Sequence, residues 1–256
     1  MDELDKQLLM ATKLGDMQEV KRLIESGANV NAEDMEGNVL LRAVDEGHIE
    51  IVKYLVGQGA NIHADGEGYA LSSAAESGYL DIVMYLVEQG SEISFNKNEA
   101  LRYAADEGHL DVVKFLVECG ADLHAKNDDA LMRAAIYGHI EVVKYLVEQG
   151  ADIHANGDDA LRMAAIKGHI EVVKFIVEQG ANIHADNDYA LKRAAENGCV
   201  DVVKFLIEKG GPIDIAKEYG TDAVKDFCKA YELRKMLDNK LQPSPPIKTK
   251  ATKLKI

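Results

Sequence analysis

Two columns of glycine constrain this chain more than any other feature. The first stands at Gly15, Gly47, Gly78, Gly108, Gly138, Gly168 and Gly198, at steps of 32, 31, 30, 30, 30 and 30 residues. The second follows each member twelve residues later, from Gly27 to Gly210. A constant inner gap with a drifting outer gap places the variable length in a loop between units. Residues 127–153 (NDDALMRAAIYGHIEVVKYLVEQGADI) and 157–183 (GDDALRMAAIKGHIEVVKFIVEQGANI) show how closely the units copy one another. A unit of this size cannot bury its apolar side alone, so the units must stack into one elongated body with a shared core.

Each unit carries two helical patterns. The first spans 129–137, with Leu131, Ala134 and Ala135 inward. Asn127, Asp128 or Asp129 is expected to accept the free N–H groups of its first turn. The second spans 140–149, where Ile140, Val143, Leu146 and Val147 form one stripe. Glu141 suits the positive end of the helix dipole. Lys144 is placed to pair with Glu148, and Gly150 can supply the left-handed residue that ends the helix. Tyr54, Tyr85, Phe115, Tyr145, Phe175 and Phe205 form an aromatic column on the second helix, expected to stack inside the body.

The pattern predicts an all-α solenoid of stacked helix-turn-helix pairs. A polar N-terminal capping unit occupies 1–33, six repeats fill 34–213, and a degenerate unit over 214–241 reads as C-terminal capping helices. Residues 242–256, with three prolines and scattered lysines, read as a disordered basic tail.

The net charge is −15, and the last fourteen residues hold four Lys and no acid, which leaves −19 on the rest. Such a body repels nucleic acid and the anionic membrane surface, so a basic or neutral protein is the expected partner. No apolar run approaches the ~18 residues of a membrane span, and the acidic N-terminus is not a secretory signal. Three scattered cysteines, Cys119, Cys199 and Cys228, suggest reduced thiols in an intracellular, cytoplasmic protein. A nuclear location stays open.

The sequence offers little for catalysis. It has no phosphate loop, nucleophile elbow or HExxH, and its carboxylates recur at repeat spacing instead of pairing across a pocket. Eight histidines fall into two columns. His48, His109, His139 and His169 follow the first Gly, where Tyr79 and Cys199 take two of the slots. His63, His124, His154 and His184 follow the second. Equivalent positions in adjacent repeats lie ~10 Å apart, too far to share one metal ion. A repeated hydrogen bond between neighbours is the better reading, and no enzyme activity, cofactor or metal is expected.

GHIEVVKYLVEQGADIHA combines a Gly-His turn, an apolar second helix and a Gly-Ala-Asp ending, and it resembles the ankyrin repeat. The resemblance covers roughly residues 4–241. Two departures stand out. The period settles to 30 residues, against the usual 33, with the deficit in the segment that normally forms a β-hairpin finger. The Thr-Pro-Leu-His motif is replaced by runs such as EALR (99–102), DALM (129–132) and DALR (159–162). This shortened form resembles ankyrin arrays abundant in giant DNA viruses of amoebae.

The resemblance implies a monomeric protein-interaction scaffold or adaptor, viral and directed at host factors if the narrower likeness holds. The alternative is a substrate-recognition adaptor of a ubiquitin ligase. It further implies that residues near the end of the first helix face a concave, partner-binding side. On this chain those positions are mostly polar, but the middle repeats offer Tyr103, Ile136, Tyr137, Met163 and Ile166, with Arg133, Arg162 and Lys167 beside them. Apolar and aromatic anchors with Arg make up the composition of an interface hot spot.

Overall fold

The computed structural model describes residues 1–64 and 68–241, and the tail expected over 242–256 lies outside the described residues. The architecture is predominantly helical, with sixteen helices in eight antiparallel pairs among the described residues. The first helices of the pairs are α1 (Glu3–Lys13), α3 (Val39–Asp45), α5 (Tyr69–Glu76), α7 (Phe95–Glu107), α9 (Asp129–Tyr137), α11 (Ala155–Lys167), α13 (Ala185–Glu196) and α15 (Ile213–Tyr219). The second helices are α2 (Met17–Glu25), α4 (Ile49–Gly57), α6 (Leu80–Glu88), α8 (Leu110–Glu118), α10 (Ile140–Glu148), α12 (Ile170–Glu178), α14 (Val200–Glu208) and α16 (Asp222–Leu241). One two-stranded antiparallel ribbon, β1 (Glu33–Asp34) with β2 (Gly37–Asn38), projects between the first two pairs.

The core is one continuous cluster from Leu8 to Cys228. In α10 it takes Val142, Val143 and Leu146, with Ile140 and Val147 only partly buried at its edge. First helices meet through alanine pairs such as Ala104/Ala105, Ala134/Ala135 and Ala164/Ala165, all fully buried. These small side chains let neighbouring first helices approach closely. The second helices carry Val, Leu and aromatic residues and touch one another much less. Closer spacing in one layer than in the other bends the stack, and the free flank of the first helices becomes the inner, concave side.

Local details depart from the sequence expectations in three places. Asp128 does not cap α9: it stands in the left-handed region with Lys126 and Asn127. Its carboxylate instead accepts the backbone N–H of Asp152 in the next repeat, at 2.8 Å. Lys144 pairs with Glu141 at 2.8 Å, not with Glu148, which keeps the acid N-terminal to the base, the favourable order on a helix. The aromatic column is half-buried at the core edge, not stacked within it. A helix spacing of ~8–10 Å exceeds the ~4.5–7 Å of ring stacking. Lysines lie against three of the rings instead, with Lys21 5.7 Å from the Tyr54 centroid, Lys114 5.7 Å from that of Tyr145 and Lys209 5.4 Å from that of Phe205.

The loops repeat a device of their own. Residues 126–128, 156–158 and 186–188 (KND, NGD, DND) each hold three consecutive left-handed residues. Asn, Asp and Gly tolerate that conformation best. Each turn aims its last side chain across the repeat boundary: Asp128 accepts from Asp152 N, and Asp158 from Asn182 N at 3.0 Å. Asn98, which closes the equivalent loop before them, accepts from Asp122 N at 3.0 Å. His124 and His154 hold the same carboxylates through Nδ1, at 3.0 and 2.9 Å. The series stops at Asp188, because the matching position is Pro212 and has no N–H to give.

Candidate interaction surface

The first-helix flank is built from three positions per repeat: five, two and one residues before the first Gly. The loop chemistry fixes their orientation. Each of those glycines has φ between 72° and 81°. In four repeats the next repeat's histidine Nε2–H donates back to the carbonyl two before it: His48 to Lys13 O at 3.4 Å, His109 to Glu76 O at 3.0 Å, His139 to Asp106 O at 2.8 Å, and His169 to Ile136 O at 2.9 Å. Cys199 takes the same slot, with Sγ 3.8 Å from Ile166 O, and burial pushes its thiol pKa up. The carbonyls of this row are thus tied back to the neighbouring repeat, and the side chains are left on the flank.

Tyr103, Arg133 and Met163 occupy matching positions on α7, α9 and α11 and are all half-buried. Burial first, then the neighbouring Glu99, raises the pKa of the Tyr103 hydroxyl. Ile136 and Ile166 are half-buried, while Tyr137 is 56% exposed and lies parallel to the His139 ring at 6.3 Å. Lys167 is exposed.

Both arginines are engaged within the chain. Arg133 binds Asp129 at 2.8 Å and Asp106 at 3.2 Å. Burial pulls its pKa down, but the two carboxylates outweigh that and raise it. Arg162 stands one position off the flank rows and belongs to the loop side. It binds Asp159 at 3.0 Å, the Asn156 carbonyl at 3.1 Å and Asp186 of the next loop. The structure therefore groups Tyr103, Arg133, Ile136, Tyr137, Met163, Ile166 and Lys167, and it separates Arg162 from them.

One part of the flank went unread in the sequence. Met10 and Leu14, five and one residues before Gly15, are 57% and 72% exposed on α1 and its C-cap. Applying the same offsets to the first repeat would have found them. Between the two apolar ends lie Asp45, Glu46, Glu76, Asp106 and Glu107. The Glu76 carboxyl is held above its ordinary pKa, by burial first and then by Glu107, Asp106, Asp45 and Glu99. Arg42 sits in the same column but is buried, bound to Asp34 at 2.5 Å and Glu36 at 3.3 Å, so it does not offset these charges.

Among the described residues, no three His, Cys, Asp or Glu side chains are grouped as a metal site requires, and no helix is long and apolar enough to cross a membrane.

The profile described as ankyrin repeats in three copies matches residues 5–66, 60–127, 101–187 and 131–219. Among solved structures, the crystal structure of the human ASB11 ankyrin repeat domain matches with a TM-score of 0.71 and 27% identity, over 80% of this chain and 98% of that one.

Proposed function

The chain belongs to the ankyrin-repeat family, and from that premise we propose that it is a scaffold or adaptor that grips a partner polypeptide along its first-helix flank. The observation that carries the reading is the order of chemistry along that flank. Exposed Met10 and Leu14 stand at one end and exposed Tyr137, with Ile136, Met163 and Ile166, stands farther along. Between them lie Asp45, Glu46, Asp106, Glu107 and Glu76, whose pKa is raised by burial first and then by its neighbouring carboxylates. A partner segment with a basic centre and an apolar anchor on either side complements this order.

Nucleic acid does not fit an acidic flank, and carboxylates spread at repeat spacing do not suit acid–base catalysis. The thirty-residue spacing and the missing Thr-Pro-Leu-His motif support the narrower likeness to arrays of giant DNA viruses of amoebae, which would make the partner a host protein.

The test is capture of partner by the full chain from a lysate of its native cell, with Ile136→Ser and Tyr137→Ser combined. Capture should be lost while the helical circular dichroism stays intact. Unchanged capture would exclude this part of the flank, and ligase subunits in the captured set would favour a ubiquitin-ligase adaptor.

A further inference from the structure

The residues just before the first glycines carry a period of their own. Leu14, Glu46, Glu107 and Tyr137 each stand one residue before such a glycine and are exposed. Glu76, also exposed, stands two before Gly78, a shift within the reach of a glutamate side chain. Five consecutive repeats therefore present apolar, acid, acid, acid, apolar along the flank. The other acids of this stretch are engaged: Asp45 accepts from the Ser73 hydroxyl, and Asp106 binds Arg133. The nearby cations are committed elsewhere, Arg133 to Asp106 and Asp129, and Arg42 to Asp34 and Glu36. Among the described residues, no ion pair relieves Glu46, Glu76 or Glu107. Their charges act across repeats, since Glu107, Asp106 and Asp45 all bear on the Glu76 carboxyl after burial has.

A ladder of this kind selects the conformation of what lies on it. Neighbouring first helices are ~8–10 Å apart. A polyproline II segment has three residues per turn and a rise of ~3.1 Å, so it returns one face every ~9.3 Å. A β-strand turns its third residue onward to the opposite face, and it needs backbone partners. The row withholds several of these, because the carbonyls of Lys13, Glu76 and Asp106 are held by His48, His109 and His139. Polyproline II requires no backbone hydrogen bonds. An α-helix returns a side chain to one face every seven residues, or ~10.5 Å. Four such steps would need a straight rod of about 28 residues lying on a concave flank.

We infer that the partner segment lies along this flank in polyproline II, with a basic side chain at every third residue opposite Glu46, Glu76 and Glu107, and an apolar residue three places beyond each end, at Leu14 and Tyr137. The inference rests on the first-helix flank being the partner-binding side, and it adds the conformation and register of what is held there. About thirteen residues span the five repeats.

Fluorescence anisotropy of the full chain with labelled peptides tests the register without the native partner. One peptide of thirteen residues carries leucine at both ends, lysine at its fourth, seventh and tenth places, and proline or serine elsewhere. A second has the same composition with its three lysines adjacent. A third is a longer, helix-forming peptide with lysine at every seventh place. The first should bind about tenfold tighter than either of the others at low salt, and the gap should shrink at about 0.5 M salt. Glu46→Gln, Glu76→Gln and Glu107→Gln together should remove the preference and leave the helical circular dichroism unchanged. Equal binding of the first two peptides, or binding of neither, overturns the three-residue register. Tighter binding of the helical peptide overturns the extended conformation, and a preference that survives the triple variant overturns the role of the glutamates. Capture from the lysate separates the two readings. Capture lost in the Ile136/Tyr137 variant while the peptides show no preference sinks the register alone, whereas capture unchanged in that variant removes the Tyr137 anchor and sinks both.

Discussion

The imidazole of His139 occupies the space that a side chain on Gly108 would need: a Cβ built there would lie 2.4 Å from Nδ1. The ring is not free to withdraw, because its Nε2 is held by Asp106 O at 2.8 Å. Gly108 is thus required twice, for its φ of +80° and for the approach of the next repeat. Gly150, in the second column, has φ of +102° and nothing within 4 Å of a built Cβ. Gly108→Ala should therefore cost about 2–4 kcal/mol, against about 1–2 for Gly150→Ala, where only the backbone objects. Urea melts of both variants measure the difference, and equal costs would refute the packing role given to the ring.

The cross-repeat carboxylates make a second ranking. Asp158 is 5% exposed and holds both Asn182 N and His154 Nδ1. Removing it as Asp158→Ala leaves a backbone donor without its partner and should cost about 1–3 kcal/mol. Asp188 has His184 but no N–H to receive from Pro212, so Asp188→Ala should cost under about 1 kcal/mol. Hydrogen exchange at the Asn182 amide should accelerate in the first variant and stay unchanged in the second.

Glu76 should give a pH signature. Its carboxyl pKa is raised, so the folded chain binds that proton more tightly than the unfolded chain does. Stability from this group is therefore present at low pH and lost as pH rises through the ordinary glutamate value and on through the raised one. Glu76→Gln should raise the melting temperature at pH 7 and have no such effect near about pH 3, where both forms are uncharged. An equal gain at both pH values would point to packing instead of charge.

The acidic stretch should show itself in association kinetics. If a basic segment seats between the apolar ends, Glu107→Lys should slow association with the captured partner and flatten its dependence on salt. Glu141→Lys, an exposed charge on a second helix, should change neither. Surface plasmon resonance at two ionic strengths separates the cases.

Much of this architecture was legible because glycine spacing and the apolar stripe report directly on backbone geometry. The boundaries of α9 (Asp129–Tyr137), and α10 from Ile140 to within one residue, follow from those two signals. The first histidine row was also readable, since equivalent residues one helix apart can bridge repeats, whereas the second row bonds an Asp four residues on in its own loop. The loops were harder. KND, NGD and DND look like capping residues, and only three-dimensional placement shows the same side chains reaching the next repeat's N–H. The candidate surface was half legible. Position offsets brought Tyr103, Arg133, Ile136, Tyr137, Met163, Ile166 and Lys167 to one flank, but a single-sequence reading cannot see that Asp186 draws Arg162 away.

The account turns on which flank meets the partner. A photo-crosslinking amino acid placed at position 137, exposed on the first-helix flank, and separately at position 141, exposed on the second-helix side, measures this directly in the full chain. The account predicts a crosslinked partner from position 137 and none from 141. Crosslinking from 141 with none from 137 would contradict it.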